Sequence, residues 1–288
     1  MLRSLSSAIS GLQSFQQRLD VIGNNIANVN TTGFKGARVG LADSFSQTLR
    51  SSSAGSSVSS GTSAMQIGLG VAIQSINNIY TQGALARTSV GTDLAVTGNG
   101  YFVVRDPLNN NEYVTRAGDF RLDETGYLVT NSGMRVQGYS DSALTTIGDI
   151  QIDTAGMPAT SDPLASMVSF AIDTEGKVNV NLSDGTQFVR GQILMQSFND
   201  PQGLMKEGNN LYSGIGAAGP LGGATSPTPA AAGTNGLGRI QAGALELANV
   251  DLATEFTNLI TTQRAYQANA RVITTSDEML QELVNLKR

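Results

Sequence analysis

Leu5, Ala8, Leu12, Phe15, Leu19, Ile22, Ile26 and Val29 fall alternately three and four residues apart. That spacing turns one face of a helix toward a partner helix and leaves little room for any other local structure. The opposite side carries Arg3, Ser7, Ser10, Gln13, Gln17, Arg18 and Asn24, which suit water or polar neighbours. A helix over residues 5–29 is roughly 37 Å long at about 1.5 Å per residue. Each large side chain in the seam gains about 1.5–3 kcal/mol only when buried, so something must cover it.

The far end of the chain offers a cover. From Asn249 onward the spacing returns in Leu252, Phe256, Leu259, Gln263, Tyr266, Ala270, Ile273, Asp277, Leu280 and Val284. Gln263 and Asp277 are polar interruptions, which cost stability at seam positions but help to fix register. No Pro or Gly occurs from Ala244 to Arg288, so the spacing predicts one long helix. The simplest arrangement pairs the two ends of the chain and makes everything between them an excursion. Periodicity alone leaves two uses open: a hairpin closing a monomeric enzyme, or helices that also pack against other copies.

Composition narrows the classes. The 288 residues suffice for two or three domains with sizeable cores. With 18 Lys plus Arg against 23 Asp plus Glu, the net charge is −5, which argues against a nucleic-acid groove or an anionic membrane as partner. Cys, His and Trp are all absent. Without His there is no Ser-His-Asp or Cys-His machinery and no imidazole metal site, so neither an enzyme nor a cofactor is expected. No apolar run approaches the roughly twenty residues that span a bilayer. Behind Arg3 there is no continuous apolar core with a cleavage site, so no secretory signal peptide is expected.

In chain order, the first helix should end within residues 28–33, where Asn24, Asn25, Asn28 and Asn30 precede Gly33. Such residues bond to local backbone or tolerate a left-handed turn. A C-cap followed by a turn explains them, as does a polar ladder between packed copies. Leu41, Phe45 and Leu49 follow at helical spacing. Residues 51–63 are nearly all Ser and Gly and read as a flexible link or inserted loop.

The middle is β-rich. Tyr101-Phe102-Val103-Val104, Tyr113-Val114-Thr115-Arg116, Phe120-Arg121-Leu122, Tyr127-Leu128-Val129 and Met134-Arg135-Val136 alternate with turn residues, which predicts antiparallel meanders. Pro158 and Pro163 loosen the next stretch. A hairpin then pairs residues 168–172 with 177–182 across Asp173-Thr174-Glu175-Gly176. Strands resume through Phe188-Val189-Arg190 and Ile193-Leu194-Met195, and a Gly, Pro, Ala and Thr loop occupies residues 214–238.

Candidate chemistry is thin. Gly68-Leu69-Gly70-Val71 lacks the third glycine of a dinucleotide fingerprint, and Gly98-Asn99-Gly100 reads as a turn. Asp119, Asp123 and Glu124 sit at turn positions where solvated charges are ordinary. Asp173, Glu175 and Asp184 lack the alternation of oxygen ligands that a calcium loop needs.

Both ends resemble one family. Residues 19–35, with Asn24, Asn25, Asn28, Gly33 and Phe34, are similar to the N-terminal signature of bacterial flagellar rod and hook proteins. Residues 245–252, with Asn249 and Asp251, resemble the family's C-terminal motif together with Gln263-Arg264-Ala265-Tyr266. So do residues 93–102, 113–120 and 203–212 in the middle. Within the family, Met1-Leu2-Arg3-Ser4-Leu5, Leu283-Val284-Asn285-Leu286 and Arg135-Val136-Gln137-Gly138-Tyr139 look most like the hook. The size of residues 141–184 and the Ser-rich insert look like the distal rod.

The resemblance implies an α+β fold that is discontinuous. Residues 1–33 plus 245–288 would form paired, coiled-coil-like terminal helices, and residues 34–75 a linker carrying the Ser/Gly insert. Residues 76–140 plus 185–244 would form an antiparallel β-rich domain, with 141–184 as a small outer insertion. It further implies a structural subunit that polymerises with itself into a hollow helical tube, the hook that couples rod to filament; the alternative is the distal rod. Its partners would be other axial proteins, a cap or scaffold protein, a junction protein and the type III export channel that it passes without a cleaved signal. Neither nucleic acid nor membrane insertion is implied. The contacts between copies would fall on the two seams.

Overall fold

The computed structural model describes residues 2–55, 60–158, 161–162, 165–221 and 228–286. Parts of the Ser/Gly insert and of the 214–238 loop, together with Pro163, lie outside the described residues. The chain is α+β, with a helix at each end and a β-rich middle, and it divides into two compact units.

One unit comprises residues 1–28, 36–79 and 250–288. Helix α1 spans Leu2–Ala27 and helix α2 spans Leu252–Leu286. They lie side by side and antiparallel: Asn25 hydrogen-bonds Glu255, and Gly11 sits against Asn269, where an added Cβ would be 2.7 Å from the amide nitrogen. Asp251 caps α2, its carboxylate accepting Ala253 N at 3.0 Å and Thr254 Oγ1 at 2.8 Å. α1 also packs on an antiparallel pair, Ala37–Asp43 with Val71–Asn78, bulged at Gly40/Leu41. The buried Asn25 amide serves there as a strand partner, donating to Ala37 O at 2.8 Å and accepting from Ala37 N at 3.0 Å.

Three expectations change here. α1 stops at Ala27, so Val29 lies in the following turn. Leu41 and Leu49 sit in strands, with Phe45 just ahead of Ser46–Arg50, because β-branched and polar neighbours favour extended pairing over their weak helical spacing. The segment read as a linker carries four strands, the inner two being Ser46–Arg50 and Met65–Gly68 as a two-stranded ribbon.

The other unit comprises residues 29–35 and 80–249. Its large antiparallel sheet runs, in spatial order, Met167–Ile172, Lys177–Leu182, Gln187–Gln196, Arg135–Tyr139, Tyr101–Arg105, Glu112–Thr115, Leu211–Ser213 and Met205–Gly208. The hairpin across Asp173-Thr174-Glu175-Gly176 forms as its turn signal predicts. Tyr101–Arg105 shows how the core is shared. Phe102 and Val104 point into one cluster with Phe120, Leu128, Val136, Ile193 and Met195, whereas Tyr101 and Val103 point into another with Val114, Phe198 and Tyr212. A strand buried on both faces loses the polar alternation of a half-exposed one, which is why this run reads as continuously apolar. Within residues 141–184, Ile150, Ile152, Ile172, Val178, Val180 and Leu182 join the first cluster, so that stretch extends the same core. Two short ladders lie outside the large sheet: Leu94–Thr97 with Arg239–Ala242, and Leu85–Arg87 with Ala244–Glu246.

Candidate functional site: a buried ionic cluster and an open helix face

Glu246 ends the strand Ala244–Glu246 and is fully buried. A carboxylate withdrawn from water is tolerated only when its lone pairs are filled. Here one oxygen, Oε1, accepts Lys35 Nζ at 2.7 Å and Gly83 N at 2.8 Å, and the other accepts Arg116 Nε at 2.7 Å. Lys35 Nζ also donates to Thr81 O at 2.8 Å. The Arg116 guanidinium continues to Gly98 O at 2.5 Å and to Gly100 O, and lies 5.7 Å from the Tyr101 ring centroid. Gly98 and Gly100 have φ of +102° and +136°, backbone that a side chain at either position would strain.

Burial alone pushes the Glu246 carboxyl up; the charge of Arg116 and the contact with Lys35 more than reverse this and hold it below the usual carboxylate range. Glu246 is therefore held as the carboxylate. Burial lowers the Lys35 ammonium, with Glu246 opposing that shift, and the cluster turns its charged groups on one another. It fastens chain segments together and presents no free base or nucleophile.

The surrounding bonds extend the same fastening. Gly33 N donates to Glu246 O at 2.7 Å, Asn249 Nδ2 to Thr81 O at 3.1 Å, and Asn210 Nδ2 to Thr32 O at 2.9 Å. Gly33, at φ +68°, leaves no room for a Cβ, which would be 2.6 Å from Ala117 N. Phe34 is buried, with Lys206 Nζ 4.8 Å from its ring centroid. Lys35, Arg116 and Glu246 are absent from the set of assembly and motif residues that periodicity and resemblance single out. Each nevertheless lies inside a family-like stretch, where Asp20, Asp119 and Asp251 are charged as well, so charge within the stretch was only a weak signal.

The helix pair is different. Leu5, Leu12, Phe15, Leu19 and Ile26 are half-buried on α1, and Ile22 is buried. On α2, Leu259, Tyr266, Ile273 and Leu280 are half-buried, but Leu252, Phe256 and Val284 are 39%, 49% and 67% exposed. The polar interruptions Gln263 and Asp277 are exposed as well. The covered line on α2 runs through Glu255, Leu259, Thr262, Tyr266, Asn269, Ile273, Ser276 and Leu280, flanked by half-buried Asn258, Ala265 and Ala270; it keeps Leu259, Tyr266, Ala270, Ile273 and Leu280 of the expected seam. The shift has a physical reason: Gly11 opens space for Asn269, and Asn25 is a partner for Glu255. Continuing that register carries α2 past Leu2 of α1 near Glu278. Met279, Leu283, Val284 and Leu286 are all exposed there. Of the remaining motif residues, Asn24 is exposed and bonds Asn28 (half-buried) at 2.7 Å, Asn249 is half-buried, and Asp251 and Arg264 are exposed.

Three stretches match known families. Residues 5–35 match "Flagella basal body rod protein", residues 95–180 "Flagellar hook protein FlgE/F/G D1 domain" and residues 241–286 "Flagellar basal body rod FlgEFG protein C-terminal". Each contributes one member of the ionic cluster. The chain is 44% identical to flagellar basal-body rod protein FlgG of Bacillus subtilis (strain 168) over 288 residues, covering all of both chains. FlgG of Buchnera aphidicola subsp. Schizaphis graminum is 37% identical over 288 residues, covering 99% of this chain and all of that one. Flagellar hook protein FlgE of Borreliella burgdorferi is 28% identical with both chains fully covered, but across 449 aligned positions.

Proposed function

Because the chain belongs to the flagellar rod and hook axial protein family, whose members are structural components of the flagellum, we propose that it is the distal rod subunit of the basal body. The observation that carries this reading is length. The rod relatives align over 288 residues with the whole chain or nearly all of it, whereas the hook relative needs 449 positions. The hook, which the chain's two ends favour in the sequence, therefore takes second place. Electron microscopy of basal bodies from cells lacking this gene tests the choice. A rod missing its distal part is the expected result, and a complete rod missing only the hook reverses it.

In this reading copies of the chain form a hollow helical tube, and the terminal helices pair in coiled-coil fashion along its inner wall. The support is the apolar surface of α2 that α1 leaves open, at Leu252, Phe256, Ile260 and Leu283 among others. Leaving so many large side chains in water costs solubility unless another surface covers them, and a helical array supplies one at every copy. Subunits would arrive through the flagellar type III channel without a cleaved signal, and would meet cap, junction and other axial proteins at the growing end. Among the described residues no helix is long and apolar enough to cross a membrane.

A further inference from the structure

The β unit is joined to the rest of the chain at Val29, Lys35, Tyr80 and Asn249. The elements near these joins are short ladders. Leu85–Arg87 pairs with Ala244–Glu246, and Leu94–Thr97 with Arg239–Ala242, both outside the large sheet, and Leu94 N also donates to Gly118 O at 2.9 Å. A two-stranded ladder is marginal by itself, and one pulled from its end opens a bond at a time.

The ionic cluster lies where these ends meet. Lys35 is itself a join. Thr81 and Gly83 follow the join at Tyr80, and Glu246 stands three residues before the join at Asn249. Lys35 reaches both Glu246 and Thr81; Gly83 donates to Glu246; Asn249 donates through its side chain to Thr81 and through its backbone to Phe34 O at 3.4 Å. Arg116 alone comes from the interior, following the central strand Glu112–Thr115, and it holds the remaining oxygen of Glu246 together with the carbonyls of Gly98 and Gly100.

We propose that Lys35, Glu246 and Arg116 form a mechanical clamp, which gathers the chain ends entering the β unit and fastens them to its sheet. A pull arriving through any one end is then shared by the others and delivered through Arg116 to the central strands, so the short ladders are loaded together and not peeled singly. The clamp stands whether the assembled tube is rod or hook; only its use, carrying torque along an appendage, rests on the axial reading.

The chain contains no Cys, so two introduced thiols give unique handles on the full-length protein. Asn30→Cys and Leu108→Cys are exposed positions within the β unit, the first on a joining segment and the second at a turn of the large sheet. Optical-tweezers extension between them loads the path through the clamp. The expected result is a single rupture of the unit in the parent protein and an additional, earlier, low-force step in Glu246→Gln. Val104→Ala, which weakens the core without touching the clamp, is the control and should keep the single rupture. A single rupture at the parent force in Glu246→Gln overturns the proposal, and so does an early step in Val104→Ala. Should Glu246→Gln fail to fold, Arg116→Lys decides by the same criteria, since it keeps the charge but gives up the reach to Gly98 and Gly100. None of these readouts requires tubes, so a failure here is separate from a failure of the rod reading.

Discussion

Along α2 the fully buried side chains are two hydroxyl residues, Thr262 and Ser276, whereas in the β unit Leu94, Val96, Phe102, Val104, Leu128, Val136 and Ile193 have no exposed surface at all. The β unit closes an apolar core of its own, although Leu108, Val168 and Met205 stay on its surface, and it holds a charged cluster inside because each of those charges has a partner. Helix α2 differs, turning Thr262 and Ser276 inward and leaving Phe256, Ile260, Met279 and Leu286 in water, while α1 buries Ala8 and Ile22. The β unit thus has a closed core within a single chain. The other has a surface suited to completion by further copies.

The widest separation is expected from truncation of one large apolar residue in each region. Phe102→Ala empties a closed site against Phe120, 5.1 Å away centroid to centroid, and should cost about 3–5 kcal/mol in urea unfolding of the β unit. Ile273→Ala, at a half-covered position, should cost only about 1 kcal/mol in the helical signal. Equal losses would mean that the helix pair is packed as tightly as the sheet.

Next comes Leu259→Asp, which puts a carboxylate in the covered line of α2 between Glu255 and Thr262. Helix pairing should weaken and tube formation should fail, because Leu259 is half-covered in the helix pair and a carboxylate there loses the rest of its hydration wherever a further copy covers it, while the β-sheet circular dichroism stays unchanged. Tubes of normal length from this variant would remove the seam from any packed interface.

Acid should move the two regions in opposite directions. Burial raises the Glu255 carboxyl, and the Asn25 hydrogen bond and Arg18 charge only partly oppose it. The folded helix pair therefore binds this proton more readily than the unfolded chain and gains stability as pH falls from the raised value toward about 4.3. Glu246 is held low, so its contribution is complete above about pH 4.3 and is lost as pH falls from there through the depressed folded value. Thermal melts followed separately at helical and sheet wavelengths should show the first region strengthening in mild acid and the second weakening in stronger acid. Loss of the trend on Glu255→Gln and on Glu246→Gln respectively would tie each to its residue.

The smallest effect belongs to Asp277→Leu. Asp277 is exposed and accepts Gln281 Nε2 at 3.0 Å, so monomer stability should change by no more than about 0.5 kcal/mol. A clear gain in helix stability would show the expected apolar seam to be the one in use.

Some of this was legible in the residues. Heptad spacing is local and persists for many turns, so both terminal helices could be read from it. The turn at Asp173-Thr174-Glu175-Gly176 carries its own signal, and the hairpin follows. Which stripe of α2 is covered was not legible, because the expected and observed stripes share Leu259, Tyr266, Ala270, Ile273 and Leu280. A rotation of one position between them depends on what the neighbour offers. Gly11 and Asn25 of α1 make that choice, and they lie more than two hundred residues away in the chain.

The sequence by itself determined the two terminal helices and the main strands of the β unit, though not the strands within residues 37–78, because helix period, strand runs and turn residues act through neighbours in the chain. Lys35, Arg116 and Glu246 lie inside family-like stretches, but the sequence neither singled them out nor said that they touch. Tertiary structure alone decided that Lys35 and Glu246, 211 residues apart, share a proton-donor contact of 2.7 Å. No local rule reaches that far. The contact exists because an apolar core excludes water at that point, and a charge left there must find its partner in the protein.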